Sequence, residues 1–284
     1  MSVMQIALLA IIQGLAELLP VSSSAHVVVA EKLMGLDPAA PALTLLLVML
    51  HTGTMFAVIV YFWRDWRRSY FSSSAAFRPF AAQVVIATAI TGAIALGLQK
   101  VLVRVLLHPS AGGADVEDLF GHLELIAPAL FAAGVLIVVS ALIERRRGER
   151  RSLDLPRAGL IGAVQGLCLP FRGFSRSGAT ISVALVSGIE KHRAEVFSFA
   201  LAVVLTPFVV AREVLRLHAR VAGATSLHSA LAASVLGGLL SFLAGLLALR
   251  WISRWLEGGR WHYFGIYCLL AAAAVAALHY LAGY

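Results

Sequence analysis

Two stretches of this chain break an apolar background in the same way. Residues 13–26 read Q-G-L-A-E-L-L-P-V-S-S-S-A-H, and residues 165–180 read Q-G-L-C-L-P-F-R-G-F-S-R-S-G-A-T. Each opens on Gln-Gly-Leu, meets a proline and reaches a Ser-X-Ser cluster. Their starts, Gln13 and Gln165, lie roughly half the chain apart. Gly/Pro-interrupted apolar segments at corresponding places in two halves are the sequence pattern of inverted repeats around a midplane site. The pattern predicts a single integral membrane domain over 1–284, with one repeat at about 1–150 and the other at about 151–284.

Composition leaves little else open. The chain is 60% hydrophobic and 13% charged, against about 25% charged in an average soluble domain. Its formal charge of +8 could suit a nucleic acid. However, the Lys and Arg fall in loops between apolar runs, where topology explains them and no nucleic-acid partner is expected. Cys168 and Cys268 sit in apolar surroundings and read as packing residues rather than a disulfide or a metal pair. No Lys or Arg precedes the first apolar run, which contains Gln13 and Glu17, so that run does not read as a cleavable signal.

Six runs are long enough to cross a bilayer: about 41–63, 80–106, 126–143, 196–217, 228–250 and 262–282. Lipid tolerates only helices and closed barrels, and these runs are too long for barrel strands. The fold class is therefore all-α: a polytopic membrane protein with six transmembrane helices. The two interrupted segments, about 4–35 and 158–188, are expected to be re-entrant hairpins of two half-helices each. An unbroken span would bury Pro20 and three serines in lipid, whereas a hairpin exposes that irregular backbone to a cavity.

Charge in the loops fits this parity. If both interrupted segments return to the side they came from, loops 64–79, 144–157, 188–195 and 250–262 share one side. These loops hold fifteen Lys and Arg, against six on the other side. The positive-inside rule makes the first side cytoplasmic.

Gln13 and Glu17, four residues apart, share a helix face. A carboxylate at membrane depth is costly unless it faces a polar cavity or pairs, for example with Arg176. Pro20 ends the first half-helix. Ser22, Ser23 and Ser24 then start the second, where hydroxyls cap free N–H groups and the helix start attracts anions. His26 follows within the first turn. In the other segment, Gly173 permits unusual dihedrals or close approach. Ser175, Ser177 and Thr180 supply hydroxyls, and Arg176 supplies a planar fork of donors suited to phosphate. Capping alone would account for the serines, and snorkelling for Arg172 and Arg176. If the two hairpin tips meet, the combined site suits a polyanion, with the carboxylate and imidazole suited to acid–base work or a metal. A phosphorylated lipid is the natural ligand. His51 lines the same cavity or bonds a neighbouring helix. Glu190, Lys191, Arg193 and Glu195 read as a solvated loop, and the tryptophans at 63, 66, 251, 255 and 261 as interfacial residues.

The stretches E-L-L-P-V-S-S-S-A-H (17–26) and G-F-S-R-S-G-A-T (173–180) strongly resemble the two signature motifs of the undecaprenyl pyrophosphate phosphatase family, the bacitracin-resistance type. F-S-F-A-L-A-V (197–203) is similar to the family's following stretch. The resemblance implies a membrane phosphatase built from inverted repeats with re-entrant helices. It would remove the terminal phosphate of undecaprenyl pyrophosphate, leaving undecaprenyl phosphate for reuse in cell-wall precursor synthesis. It also implies a divalent cation, Mg²⁺ or Ca²⁺, residence in the bacterial plasma membrane and a site facing the periplasm. The family's first-motif positions fall on Gln13, Glu17, Ser22, Ser23 and His26, and its arginine on Arg176. Glu17 would bind metal or act as base. His26 and Ser23 are alternative nucleophiles, with His26 also an acid–base candidate. Gln13, Ser22, Ser24, Gly173, Ser175, Ser177 and Thr180 would line the lipid's headgroup. Two departures stand out: Gln13 replaces a common glutamate, and Arg172 replaces the proline before Gly173. A homodimer remains among the assemblies open to the chain. The alternative function is a lipid-phosphate transporter using the same anion site without chemistry.

Overall fold

The computed structural model describes residues 1–36, 40–106, 123–146, 151–171, 173–220 and 227–282. Among them are ten helices and no strand. Six contain stretches long and apolar enough to cross a membrane: Ala42–Ser69, Ser74–Leu102, Ile126–Arg146, Lys191–Ala211, Leu231–Glu257 and His262–Leu281. The protein is an all-α polytopic membrane protein. Arg172 lies outside the described residues.

The two interrupted segments each form a pair of short helices. α1 (Val3–Leu18) and α2 (Ser23–Leu33) flank Pro20, and α6 (Leu155–Cys168) and α7 (Arg176–Val186) flank Pro170. Local chemistry sets the ends. Ser2 and Gln5 cap α1 reciprocally. Leu19, directly before Pro20, turns extended at φ −69° and ψ 148°, as the proline ring demands of its predecessor. Asp154 caps α6 by accepting from the Arg157 N–H, with a proline in the first turn. Each pair folds back on itself. Ile6 and Leu9 of α1 pack with Val27 and Ala30 of α2. Just before α6, the Arg151 N–H donates to the carbonyl of Gly188, just after α7, at 2.8 Å.

The long helices α3 (Pro41–Ser69), α4 (Ser74–Leu106), α5 (Leu123–Arg146), α8 (Lys191–Arg220), α9 (Leu227–Glu257) and α10 (His262–Ala282) surround these pairs. α1 packs on α9 and α6 on α4, while α5 packs along α10 and α3 along α8. Exchanging the chain's halves maps each of these contacts onto another or onto itself. The motif glycines make the first two close. A Cβ on Gly14 would lie 2.6 Å from Ala244 Cβ and 2.7 Å from the Ser241 carbonyl oxygen. On Gly166 it would lie 2.8 Å from the Thr91 carbonyl oxygen.

Three sequence expectations are corrected. Trp66 and Trp261 are buried rather than interfacial. The Trp261 indole N–H reaches Ser140 Oγ at 3.1 Å and Ser182 Oγ at 3.3 Å, so the polar end of the ring is satisfied inside the protein rather than at headgroup level. Glu195 is fully buried on α8, where Ser253 Oγ donates to Oε1 at 2.6 Å. The polar run starting at Lys191 is the first turn of α8, because Lys191 is held by Glu144 at 3.2 Å. The fourth span consequently begins earlier than its hydrophobicity suggests.

Candidate active site

Glu17 is where the two short-helix pairs meet. It sits in the last turn of α1, one turn before Pro20 breaks the helix. Its Oε1 accepts from Arg176 Nη2 at 2.9 Å, and its Oε2 accepts from Ser23 Oγ at 2.5 Å and Gln13 Nε2 at 3.0 Å. Both side chains of the Glu17–Arg176 ion pair are largely buried. The two partners across the break are equivalent by position: Ser23 is the first residue of α2 and Arg176 the first of α7. Two helix starts therefore converge on one carboxylate. Each start carries unpaired backbone N–H groups and the positive end of a helix dipole. A further link fixes the tips, as Ser177 Oγ donates to the Leu19 carbonyl at 3.4 Å.

The two halves share a frame but differ in chemistry. Gln13 turns its amide to Glu17, whereas Gln165 turns its amide to Thr91 Oγ1 at 3.2 Å. Four residues after Gln165 stands Leu169, not a carboxylate. At the first turn, Ser23 in one half faces Arg176 in the other. The result is one acid, one fixed cation and several hydroxyls.

The serines divide into two kinds. Ser175 is a cap, its Oγ accepting from the Gly178 N–H at 3.2 Å. Ser22 is not: it makes no side-chain cap, and its Oγ lies 3.3 Å from Ser24 Oγ. It is also the only non-glycine residue with positive φ among the described residues, at 67°. An L residue held in such a conformation costs about 1–3 kcal/mol and persists only where its surroundings over-determine it.

His26 supplies part of that constraint. Its Nδ1 lies 2.8 Å from the Ser22 carbonyl, and its Nε2 lies 2.6 Å from the hydroxyl of Tyr267 on α10. A carbonyl only accepts, so Nδ1 carries the proton; Nε2 of the neutral ring then accepts from the phenol. His51 holds its ring in the same way, with Nδ1 on the carbonyl four residues back. Its Nδ1 bonds the Leu47 carbonyl at 2.9 Å, and its Nε2 stands 3.9 Å from Glu17 Oε2.

Other sequence candidates support the site from behind. Thr180 is fully buried and bonds the Arg176 carbonyl at 2.8 Å and Ser198 Oγ at 2.6 Å. Gly173, at φ 103°, presses against α5; a Cβ there would lie 2.6 Å from the Ile126 carbonyl oxygen. Sequence reasoning missed Tyr267 and Ser198. Ser198 lies within the stretch F-S-F-A-L-A-V (197–203) but was not singled out there, and Tyr267 belongs to no recognisable motif and is brought to His26 from 241 residues away.

A divalent ion would find a sparse donor set. Among the described residues, no three His, Cys, Asp or Glu side chains are grouped to hold one. A single carboxylate beside a helix-start anion site does fit the way Mg²⁺ is commonly held, through one or two carboxylates plus phosphate oxygens of the substrate.

One nitrogen of the site's only described guanidinium, Arg176 Nη1, is buried without a hydrogen-bond partner. With two helix starts beside it, the site is built for a polyanion inside a polytopic membrane protein. The chain belongs to the bacitracin resistance protein BacA family, whose model matches residues 6–274. It is 56% identical to undecaprenyl-diphosphatase 2 of Acinetobacter baylyi, the match covering 98% of each chain. It is 33% identical to undecaprenyl-diphosphatase 2 of Burkholderia orbicola over 95% of each chain. To undecaprenyl-diphosphatase of Korarchaeum cryptofilum it is 31% identical, over 98% of this chain and all of the other.

Proposed function

We propose that the protein hydrolyses the terminal phosphate of undecaprenyl pyrophosphate, giving undecaprenyl phosphate and inorganic phosphate. The observation that carries this reading is the convergence of Ser23 and Arg176, each the first residue of a short helix, on Glu17. The diphosphate would lie across the two helix starts. Arg176, with Nη1 unpartnered, would bind its oxygens and stabilise charge developing on them in the transition state. The tail stays in the bilayer.

Glu17 is the proton acceptor. In one route Ser23 Oγ attacks the terminal phosphorus, its proton passes to Glu17, and the bond to the bridging oxygen breaks. Undecaprenyl phosphate leaves, and water then releases phosphate from the serine. In the other route Glu17 takes the proton from an attacking water and no phosphoserine forms. Gln13 and Ser22 stand beside the reacting groups, while Ser24, Ser175, Ser177, Gly173 and Thr180 shape and brace the cradle. Mg²⁺ or Ca²⁺, held by Glu17 and the diphosphate, would neutralise charge on the phosphate oxygens.

Each short-helix pair is re-entrant in this reading. The bond from Arg151 to Gly188 supports it, since α7 ends where α6 begins. The reciprocal packing of α1 on α9 and α6 on α4 supports inverted repeats. The site lies in the bacterial plasma membrane and faces the periplasm.

The test is phosphate release from the purified protein with a C55 diphosphate, with and without chelator. Release that a chelator stops and Mg²⁺ restores is expected, as is its loss in Glu17→Gln protein that still folds. A wild-type protein that binds the lipid with Mg²⁺ present yet releases no phosphate would leave the transporter reading standing. Full activity in Glu17→Gln would make the carboxylate structural.

A further inference from the structure

The short bond between Ser23 and Glu17 depends on a turn that resists forming. Ser22, the residue before Ser23, is held at φ 67° and ψ 93° with no cap from its own side chain. If Ser22 relaxed to negative φ, the start of α2 would swing and Ser23 Oγ would leave its 2.5 Å contact with Glu17. Something must hold the Ser22 backbone. Its carbonyl accepts from both the backbone N–H of His26, at 3.4 Å, and the His26 ring at Nδ1, at 2.8 Å. The ring is useful as a clamp only if its own rotation is stopped. Tyr267 stops it, its hydroxyl lying 2.6 Å from Nε2 and its ring lying nearly parallel to the imidazole, at 14°.

α10 grips the same turn a second time. Cys268, the next residue, donates from Sγ to the Pro20 carbonyl at 3.2 Å. Cys268 is fully buried, whereas Tyr267 is 45% exposed. The Tyr267 ring therefore contributes little to the core, and its hydroxyl is spent on His26.

We propose that Tyr267 is a positioning residue, acting through the His26 ring on the Ser22 backbone to seat the Ser23 hydroxyl on Glu17. The inference rests on the phosphatase reading for its catalytic consequence, but not for its geometry. It also limits His26: while the phenol occupies Nε2, that nitrogen cannot attack phosphorus or accept a proton from water.

Two measurements test this. In the first, Tyr267→Phe keeps the ring and removes the hydroxyl. Its kcat should fall by about tenfold with KM changed less than about twofold, because misplacing a reacting group affects rate more than binding. Combined with Ser22→Gly, which needs no help to hold positive φ, the two losses should be clearly less than multiplicative. Wild-type kcat in Tyr267→Phe, or losses that multiply, would overturn the proposal. In the second, the ring ¹⁵N spectrum of histidine-labelled protein should show His26 protonated at Nδ1 and accepting a hydrogen bond at Nε2. The Nε2 resonance should move in Tyr267→Phe, and a resonance that stays put would overturn the proposal. This second reading needs no turnover. A wild-type protein without phosphatase activity would thus fail the proposed function and leave the clamp to be judged by its spectrum.

Discussion

Arg176 makes the sharpest claim at the scale of single residues. It holds Glu17 through Nη2 and leaves Nη1 buried and unpartnered. Lys at this position would keep the charge and lose the fork, so it could not serve the carboxylate and a phosphate oxygen in fixed geometry together. Arg176→Lys should lower kcat by at least about tenfold, a barrier increase of roughly 1.4 kcal/mol, while part of the lipid binding survives. Steady-state kinetics beside a lipid-binding assay would show this, and undiminished turnover would remove the guanidinium from the mechanism. Much of the site was legible residue by residue. Glu17 stood out because an acid in an apolar run must find partners, and Ser23 and Arg176 because they follow helix breaks. Tyr267 was not legible, because an aromatic in an apolar helix carries no sign of a contact made 241 residues away. Glu195 was misread for a related reason. Its neighbours in sequence are charged, but the fold turns this one carboxylate inward onto Ser253.

At the scale of elements, the seating of α1 on α9 governs where Glu17 points. Gly14 lies between Gln13 and Glu17 and allows α1 to approach α9 so closely that a Cβ would overlap Ala244. Gly14→Ala therefore has to push the helices apart or rotate α1. Overpacking of this kind costs about 1–3 kcal/mol. The expected outcome is a lower melting temperature together with loss of phosphate release greater than the loss of folded protein, because α1 carries the carboxylate. A Gly14→Ala protein with wild-type melting and turnover would show that α1 is not held in this register. The helices themselves were readable, since proline and serine mark both breaks and apolar length marks the six spans. Their limits were less so. Hydrophobicity placed the start of the fourth span at about residue 196, whereas α8 begins at Lys191, whose ion pair with Glu144 lets a polar turn remain helical. The tryptophans show the same limit, because amphipathic residues suit both an interface and a buried hydroxyl partner such as Ser140.

For the whole molecule, the question is which end faces which side of the membrane. One end gathers the basic residues. Lys191 at the start of α8 pairs with Glu144 at the end of α5, and Arg145 reaches the Gly259 carbonyl between α9 and α10 at 2.8 Å. His192 stands 3.8 Å from Asp65 near the end of α3. The ends of α3, α5 and α9, the start of α6 and the turn between α7 and α8 are thereby tied to one face, the grouping that the loop charges required. A single span running through α6 and α7 together would put 151 and 188 on opposite sides, and the hydrogen bond between them favours the re-entrant reading. Lys and Arg in short loops are retained on the cytoplasmic side, so this face is expected to be cytoplasmic, with the end of α4 and the start of α5 on the other side. Single cysteines introduced near 112–118 should react with a membrane-impermeant maleimide in intact cells. Cysteines near 148–152 and at 188 should react only after permeabilisation. The reversed pattern would invert the molecule and turn the proposed site away from the periplasm. Reactivity at 188 together with 112–118, but not at 148–152, would mean that the second short-helix pair crosses the membrane, and the re-entrant reading would fall even if the chemistry stood.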